Sequence, residues 1–280
     1  MRIAITGASG FVGRYVLREL QARGLDIVVV ARSADHFHAQ SGVDEFAVID
    51  IANCGDNPFG AMGAPDILIH LAWSGLPNYQ SPHHVETELP AQTTFLASCV
   101  EAGLKRLVVA GTCFEYGLAS GELTEDTQTR PCTQYGTAKD MLRKVLDGLS
   151  HEHDFEFSWL RLFYLFGNGQ SSQSLYSLFH EAIHRGDQTF DMSGGEQVRD
   201  FLAINEAARL IVEVALLQGN IGVVNICSGM PMTVRTLVQK WIDESGTRIT
   251  MNLGRLPYPD TEPMAFWGNR GKLNALLGES

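Results

Sequence analysis

Thr6-Gly7-Ala8-Ser9-Gly10-Phe11-Val12-Gly13 follows a short apolar run at the start of the chain and opens an amphipathic stretch over residues 11–23. Three glycines in that setting have three uses. The first permits a tight turn, the second lets a backbone approach a pyrophosphate, and the third lets a helix pack closely on a strand. The helix N-terminus presents free N–H groups and a partial positive charge, which suit an anionic group. Gly7, Gly10, Phe11, Val12 and Gly13 are therefore the first candidate binding residues, for the phosphates of a dinucleotide.

Outward from this loop, short runs rich in Val, Ile and Leu at residues 2–6, 26–31, 45–50, 66–72, 106–111 and 156–163 read as strands. Helical patterns at 11–23, 85–102 and 134–149 alternate with them, and Gly24 and Gly103 stand where helix C-caps are wanted. Strands alternating with helices predict an α/β fold, a Rossmann-like doubly wound parallel sheet. The texture changes after Phe166: Gly167–Ser174 reads as a loop, followed by a helix to about His184 and another over residues 203–217. Residues 222–226 read as a buried strand that rejoins the sheet, residues 234–244 as a helix, and Pro257, Pro259 and Pro263 mark an irregular segment. The expected layout is a dinucleotide-binding core over residues 1–165, which 198–228 rejoins, and a smaller substrate-binding lobe built mainly from 166–280.

Cofactor choice turns on the end of the second strand, about 20 residues beyond the loop. Val30-Ala31-Arg32-Ser33 stands there, without the Asp or Glu that would bind a ribose 2′-hydroxyl and repel a 2′-phosphate. Arg32 can pair with that phosphate and Ser33 can hydrogen-bond to it, so NADP, used as NADPH, is expected; a solvated Arg32 with NAD is the alternative. Asp50 and Ile51, ending the third strand, are expected near the adenine, unless Asp50 caps the next turn.

Tyr135-Gly136-Thr137-Ala138-Lys139 places a phenol and an ammonium at i and i+4, on one helix face. A nearby cation favours phenolate, and so is expected to lower the tyrosine pKa towards the range of acid–base work. Thr112 closes the fifth strand at the carboxyl edge, where open α/β sheets place ligands. Thr112, Tyr135 and Lys139 form the candidate catalytic set.

The chain has 280 residues, 45% hydrophobic and 19% charged, enough for a sizeable core. Its formal charge of −11 argues against general nucleic-acid binding. No apolar run approaches a membrane span. With the first strand beginning at Arg2 there is no room for a secretory leader, so a cytoplasmic location is expected. Five scattered cysteines without Cys-x-x-Cys spacing suggest neither disulfides nor zinc. The paired histidines His36/His38, His83/His84 and His151/His153 read as solvated loop residues, and no metal is expected.

The segments Thr6–Gly13, Gly111-Thr112-Cys113-Phe114-Glu115-Tyr116-Gly117 and Tyr135–Lys139 resemble the extended short-chain dehydrogenases that act on nucleotide sugars, the epimerase/dehydratase type. Arg161–Gly167, Val198-Arg199-Asp200-Phe201 and Asn225–Gly229 resemble further landmarks of that family, so the likeness runs to about residue 229. It implies that Tyr135 is the catalytic acid, that Lys139 holds the nicotinamide ribose, and that Thr112 assists Tyr135. It also implies that Leu71 and Ala72 lie near the cofactor, and that Arg199 contacts the nucleotide diphosphate unless it forms a structural ion pair. Cys113 and Phe114 replace the acidic pair of the family's 4,6-dehydratases, so dehydration is not expected; Cys113 either faces substrate or packs, and Glu115 is structural. Trp73 either shapes the sugar pocket or covers the sheet end. The implied function is NADPH-dependent reduction of a nucleotide-linked 4-keto-6-deoxyhexose for surface polysaccharide. A nucleotide-sugar 4-epimerase, a reductase of free small ketones or aldehydes and a non-catalytic dinucleotide sensor are the alternatives. A homodimer through 85–102 and 134–149 is implied by the same resemblance.

Overall fold

The computed structural model describes residues 1–33, 45–258 and 262–279. His36, His38 and Pro259 fall outside the described residues. The chain runs β1 (Arg2–Thr6), α1 (Phe11–Ala22), β2 (Asp26–Ala31), β3 (Phe46–Val48), α2 (Pro58–Ala61), β4 (Ile67–His70), a wide π turn (His84–Glu88), α3 (Leu89–Glu101) and β5 (Arg106–Thr112). A 3₁₀ turn (Cys113–Tyr116) follows, then β6 (Gly121–Leu123), α4 (Gln134–Glu152), β7 (Glu156–Leu162), β8 (Tyr164–Phe166), α5 (Leu175–Arg185) and β9 (Thr189–Asp191). The rest comprises β10 (Val198–Ala203), α6 (Ile204–Leu216), β11 (Gly222–Ile226), β12 (Pro231–Thr233), α7 (Val234–Ser245), β13 (Thr250–Asn252), β14 (Phe266–Gly268) and α8 (Gly271–Leu277).

Seven strands form one sheet in the order β11-β7-β5-β4-β1-β2-β3, every pair parallel. Alternate residues point to opposite faces. Ile3, Ile5, Ile67 and Ile69 meet α1 and α6 on one face, while Ala4, Leu68, Leu107 and Val109 meet α3 and α4 on the other. Burial on both faces explains the nearly unbroken apolar runs. At the β11 edge, Lys272 Nζ donates to the Ile221 and Val223 carbonyls at 2.9 and 2.6 Å, satisfying groups that would otherwise offer a pairing edge. The strand order reverses between β1 and β4, and the carboxyl ends of these strands frame a crevice suited to a ligand.

The second half returns only in part. β11 pairs with β7, whereas β10 joins β8 and β12 in a separate three-stranded sheet, so residues 198–203 do not re-enter the main one. Phe201 turns instead towards a cluster of Phe179, Phe190, Leu237 and Trp241, built from α5, β9 and α7. The expected helix over 85–102 begins as the π turn, in which the Leu89 N–H reaches His84 O. Pro90 has no N–H for the Glu86 carbonyl, which accounts for the wider turn ahead of it.

Candidate active site

The glycine loop is built for close approach. A Cβ on Gly13 would stand 2.0 Å from the Gly7 carbonyl oxygen, and one on Gly7 would stand 2.7 Å from Ala72 N. Gly7 also has φ +72°, a conformation that favours glycine. Gly10 is the N-cap of α1 and makes no side-chain cap hydrogen bond, which leaves the first N–H groups of the helix directed at the crevice. The crevice, ≈ 460 Å³, is lined by Gly7 and Gly10, by Arg32 with Asp50 and Ile51, and by Leu71-Ala72-Trp73. This lining fits a dinucleotide, with the glycines and helix N-terminus at its phosphates. Arg32 is exposed at the adenosine end, and Ser33 follows it, half-buried. Asp50 Oδ1 accepts from Ala52 N at 3.2 Å, so it caps a turn while it lines the crevice.

A buried polar chain fixes the floor beneath this crevice. The N–H groups of Leu71 and Ala72 both donate to Thr6 Oγ1 at 3.1 Å, so the Thr6 hydroxyl donates onward to His70 Nδ1 at 3.0 Å. His70 Nε2–H then donates to Gln92 Oε1 at 2.7 Å, and Gln92 Nε2 donates to Glu88 Oε2 at 2.9 Å. Burial, followed by the charge of Lys139, pushes the His70 pKa down to about 3, which keeps that tautomer neutral.

Tyr135 and Lys139 project from the first turns of α4, whose N-cap Thr133 accepts from Gly136 N at 3.0 Å. A Cβ on Gly136 would meet the Phe114 carbonyl at 2.7 Å, so this glycine lets α4 approach the 3₁₀ turn that follows β5. The Tyr135 phenol pairs with the Thr112 hydroxyl. Lys139 Nζ donates to Ala110 O at 2.9 Å and stands 5.9 Å from the Tyr135 ring centre. The three expected catalytic residues therefore converge beside the crevice. The expected lowering of the phenol pKa does not occur: burial pushes it up, Tyr79, Glu115 and Cys113 add to that, and the Thr112 hydrogen bond only partly opposes it. A protonated phenol is the form that can donate. Burial pushes the Lys139 pKa down to about 7, against the upward pull of Glu115 and then Glu88.

Beneath Thr112 lies a buried ionic knot. Glu115 Oε1 accepts from Thr112 N and Trp159 Nε1, each at 2.9 Å, and Oε2 accepts from Arg161 Nε at 2.8 Å. Cys113 is buried among Tyr116, Phe163, Cys227 and Phe266, and burial pushes its thiol pKa up, so it packs here as a neutral group. Arg199 is also buried. Its guanidinium pairs with Glu262 at 2.9 Å, donates to the carbonyls of Val198 and Met264, and lies 4.6 Å from the Phe266 ring. The ion-pair alternative for Arg199 is thus the arrangement seen, and a diphosphate there has to displace Glu262.

Of the histidines read as solvated loop residues, His84 is neither solvated nor in a loop, whereas His83 keeps a partly exposed side chain. His84 is buried and bonded to Trp73 and to the Asn78 carbonyl, and His83 contacts Ser74 and Glu88. Trp73 itself packs edge-on to Tyr135, at 5.9 Å between ring centres. Tyr79 and Phe114 complete an aromatic shell around Tyr135 at 5.7 and 6.5 Å. Nothing in the spacing of these residues announced the shell, because a loop between β4 and the π turn brings it together.

A model of the NAD dependent epimerase/dehydratase family matches residues 3–227. A dTDP-6-deoxy-L-talose 4-dehydrogenase (NAD(+)) of Aggregatibacter actinomycetemcomitans is 30% identical, over 96% of this chain and 99% of its own. A dTDP-6-deoxy-L-talose 4-dehydrogenase (NAD(P)(+)) of Kitasatospora kifunensis is 26% identical, over 95% and 86%. The structure of a UDP-glucuronic acid 4-epimerase from Bacillus cereus, in complex with UDP-glucuronic acid and NAD, shares the fold with a TM-score of 0.83, at 22% identity over 100% of this chain and 94% of that one. No helix among the described residues is long and apolar enough to cross a membrane.

Proposed function

The chain belongs to the NAD dependent epimerase/dehydratase family, a family of enzymes acting on nucleotide sugars, and from that premise we propose that it is an NADPH-dependent 4-ketoreductase of a dTDP-linked 6-deoxyhexose. The observation that carries the chemistry is the meeting of Tyr135, Thr112 and Lys139 at the carboxyl end of β5, beside the dinucleotide crevice. When bound, the nicotinamide supplies the hydride for the keto carbon. The phenol of Tyr135, held protonated by burial, donates its proton to the sugar oxygen as charge builds there. The Thr112 hydroxyl offers that oxygen a second hydrogen bond, pre-placed by the Glu115 knot. Lys139, in its protonated form, places a positive charge close to the phenol and can hold ribose hydroxyls. Run in reverse, with Tyr135 taking the proton, the same site is a 4-dehydrogenase, the activity for which the two dTDP-6-deoxy-L-talose relatives are named. Use of the product in surface polysaccharide, a cytoplasmic site of action and a homodimer through α3 and α4 belong to the same proposal; Met141 and Val145 are exposed on α4.

The finer choice of NADPH rests on Arg32, exposed at the end of β2. NADPH should bind at least about tenfold tighter than NADH, and Arg32→Ala should shrink that gap by weakening NADPH selectively. Fluorescence titration of both cofactors checks this, and equal affinities in the parent would overturn the preference for NADPH.

Arg199 carries the substrate side of the proposal. Arg199→Met should raise the KM for a dTDP-sugar with little change in NADPH affinity, since a thioether cannot replace a guanidinium fork on phosphate oxygens. Calorimetric titration with dTDP on folded protein separates the two roles. Unchanged dTDP affinity would leave Arg199 as the partner of Glu262 alone.

A further inference from the structure

Trp73 and His84 stand against the Tyr135–Lys139 pair, yet the chemistry derived above uses neither. The Lys139 ammonium lies 3.9 Å from the centre of the Trp73 ring. The indole N–H donates to His84 Nδ1 at 3.1 Å, with the two rings stacked at 28°. Because Nδ1 is committed as an acceptor, Nε2 carries the proton and donates to Asn78 O at 2.8 Å. The next carbonyl of that loop, Tyr79 O, accepts the backbone N–H of Tyr135 at 3.0 Å. The indole is therefore pinned at its polar edge, by a buried histidine anchored to the loop that also caps the catalytic helix.

We propose that Trp73 is a positioning residue for Lys139, its ring face holding the ammonium beside Tyr135, and that His84 acts through Trp73 by fixing the indole N–H. The inference rests on the reading of Tyr135 and Lys139 as the proton-handling pair. Lys139 is buried, and its hydrogen bond goes to a neutral carbonyl. An aromatic face supplies negative potential to an ammonium, and indole does so best. The other charged or titratable groups around Lys139 are Glu115 from the 3₁₀ turn, Glu88 from the π turn, neutral His70 from β4, and Tyr135 on its own helix. Losing the ring while keeping the site dry makes the ammonium shed its proton at lower pH, and with it the function that needs the charge.

The test compares Trp73→Leu, which keeps the site dry without a π face, with Trp73→Phe, which keeps a face but no N–H. NADP affinity and kcat/KM for a dTDP-6-deoxyhexose are measured from mildly acidic to alkaline pH, so that the range brackets the Lys139 titration near pH 7 and any downward move of it. The alkaline limb of both should move down by roughly 0.5–1.5 pH units in Trp73→Leu, and by less than half of that in Trp73→Phe. His84→Leu should move it in the same direction, and His84→Asn, whose side-chain oxygen restores an acceptor, should bring it back. In the Trp73→Phe background His84→Leu should add nothing. An unmoved limb in folded Trp73→Leu overturns the positioning role of Trp73. An equal His84→Leu shift in both backgrounds overturns the route through Trp73. A parent that binds neither NADP nor NAD overturns the underlying reading, and the inference with it.

Discussion

Turnover in Tyr135→Phe should fall by ~10²–10⁴-fold, the range that a positioned general acid supplies. The substitution removes one hydroxyl and leaves the ring between Trp73, Tyr79 and Phe114, so α4 and the aromatic shell stay in place. NADPH affinity should change little, because Lys139 and the glycine loop are untouched. Thr112→Val should give a smaller loss, since one hydrogen bond to the alkoxide goes while the proton donor stays. Steady-state rates and cofactor titration on both variants, with circular dichroism to confirm folding, check the pair. Near-full activity in a folded Tyr135→Phe protein would move the proton donor elsewhere.

The largest expected loss of stability is that of Glu115→Ala, at about 3–5 kcal/mol. The carboxylate is fully buried and accepts three hydrogen bonds, from Thr112 N, Trp159 Nε1 and Arg161 Nε. Removing it leaves the Arg161 guanidinium buried without its anion, and removes the side chain that closes the capping box at Thr112. Against a total of about 5–15 kcal/mol for a folded domain, that is a large fraction. Glu115→Gln should cost less, because the amide oxygen can still accept from Thr112 N or Trp159. Urea unfolding measures both, and a loss under about 1 kcal/mol in Glu115→Ala would show that solvent reaches Arg161.

The parts of this molecule that were legible in the sequence are those set by local chemistry. Gly7 and Gly13 announce a backbone approach that a Cβ would block. The alternation of Ile3 and Ile5 with Ala4 reflects a strand buried on both faces. Tyr135 and Lys139 sit one helical turn apart whatever surrounds them. What escaped depends on distance along the chain. Arg199 meets Glu262 across 63 residues, and no local pattern foretells that pairing. Strands such as β8, β12 and β14 are three residues long, too short for any period to show. His84 was unreadable because its partners, Trp73 and Asn78, reach it only through the fold of one loop. The tyrosine pKa went the other way because spacing places the cation but says nothing of how dry the site is.

The reaction proposed for this site is net hydride transfer to C4 of a nucleotide-linked sugar. Incubation with a dTDP-4-keto-6-deoxyhexose and NADPH deuterated at the transferring position, followed by mass spectrometry and NMR of the sugar, tests it most directly. Deuterium is expected at C4 of a newly formed alcohol, with one cofactor oxidised for each sugar reduced. Unchanged keto-sugar beside intact NADPH would contradict it, as would inversion of a 4-hydroxy sugar with no net consumption of cofactor.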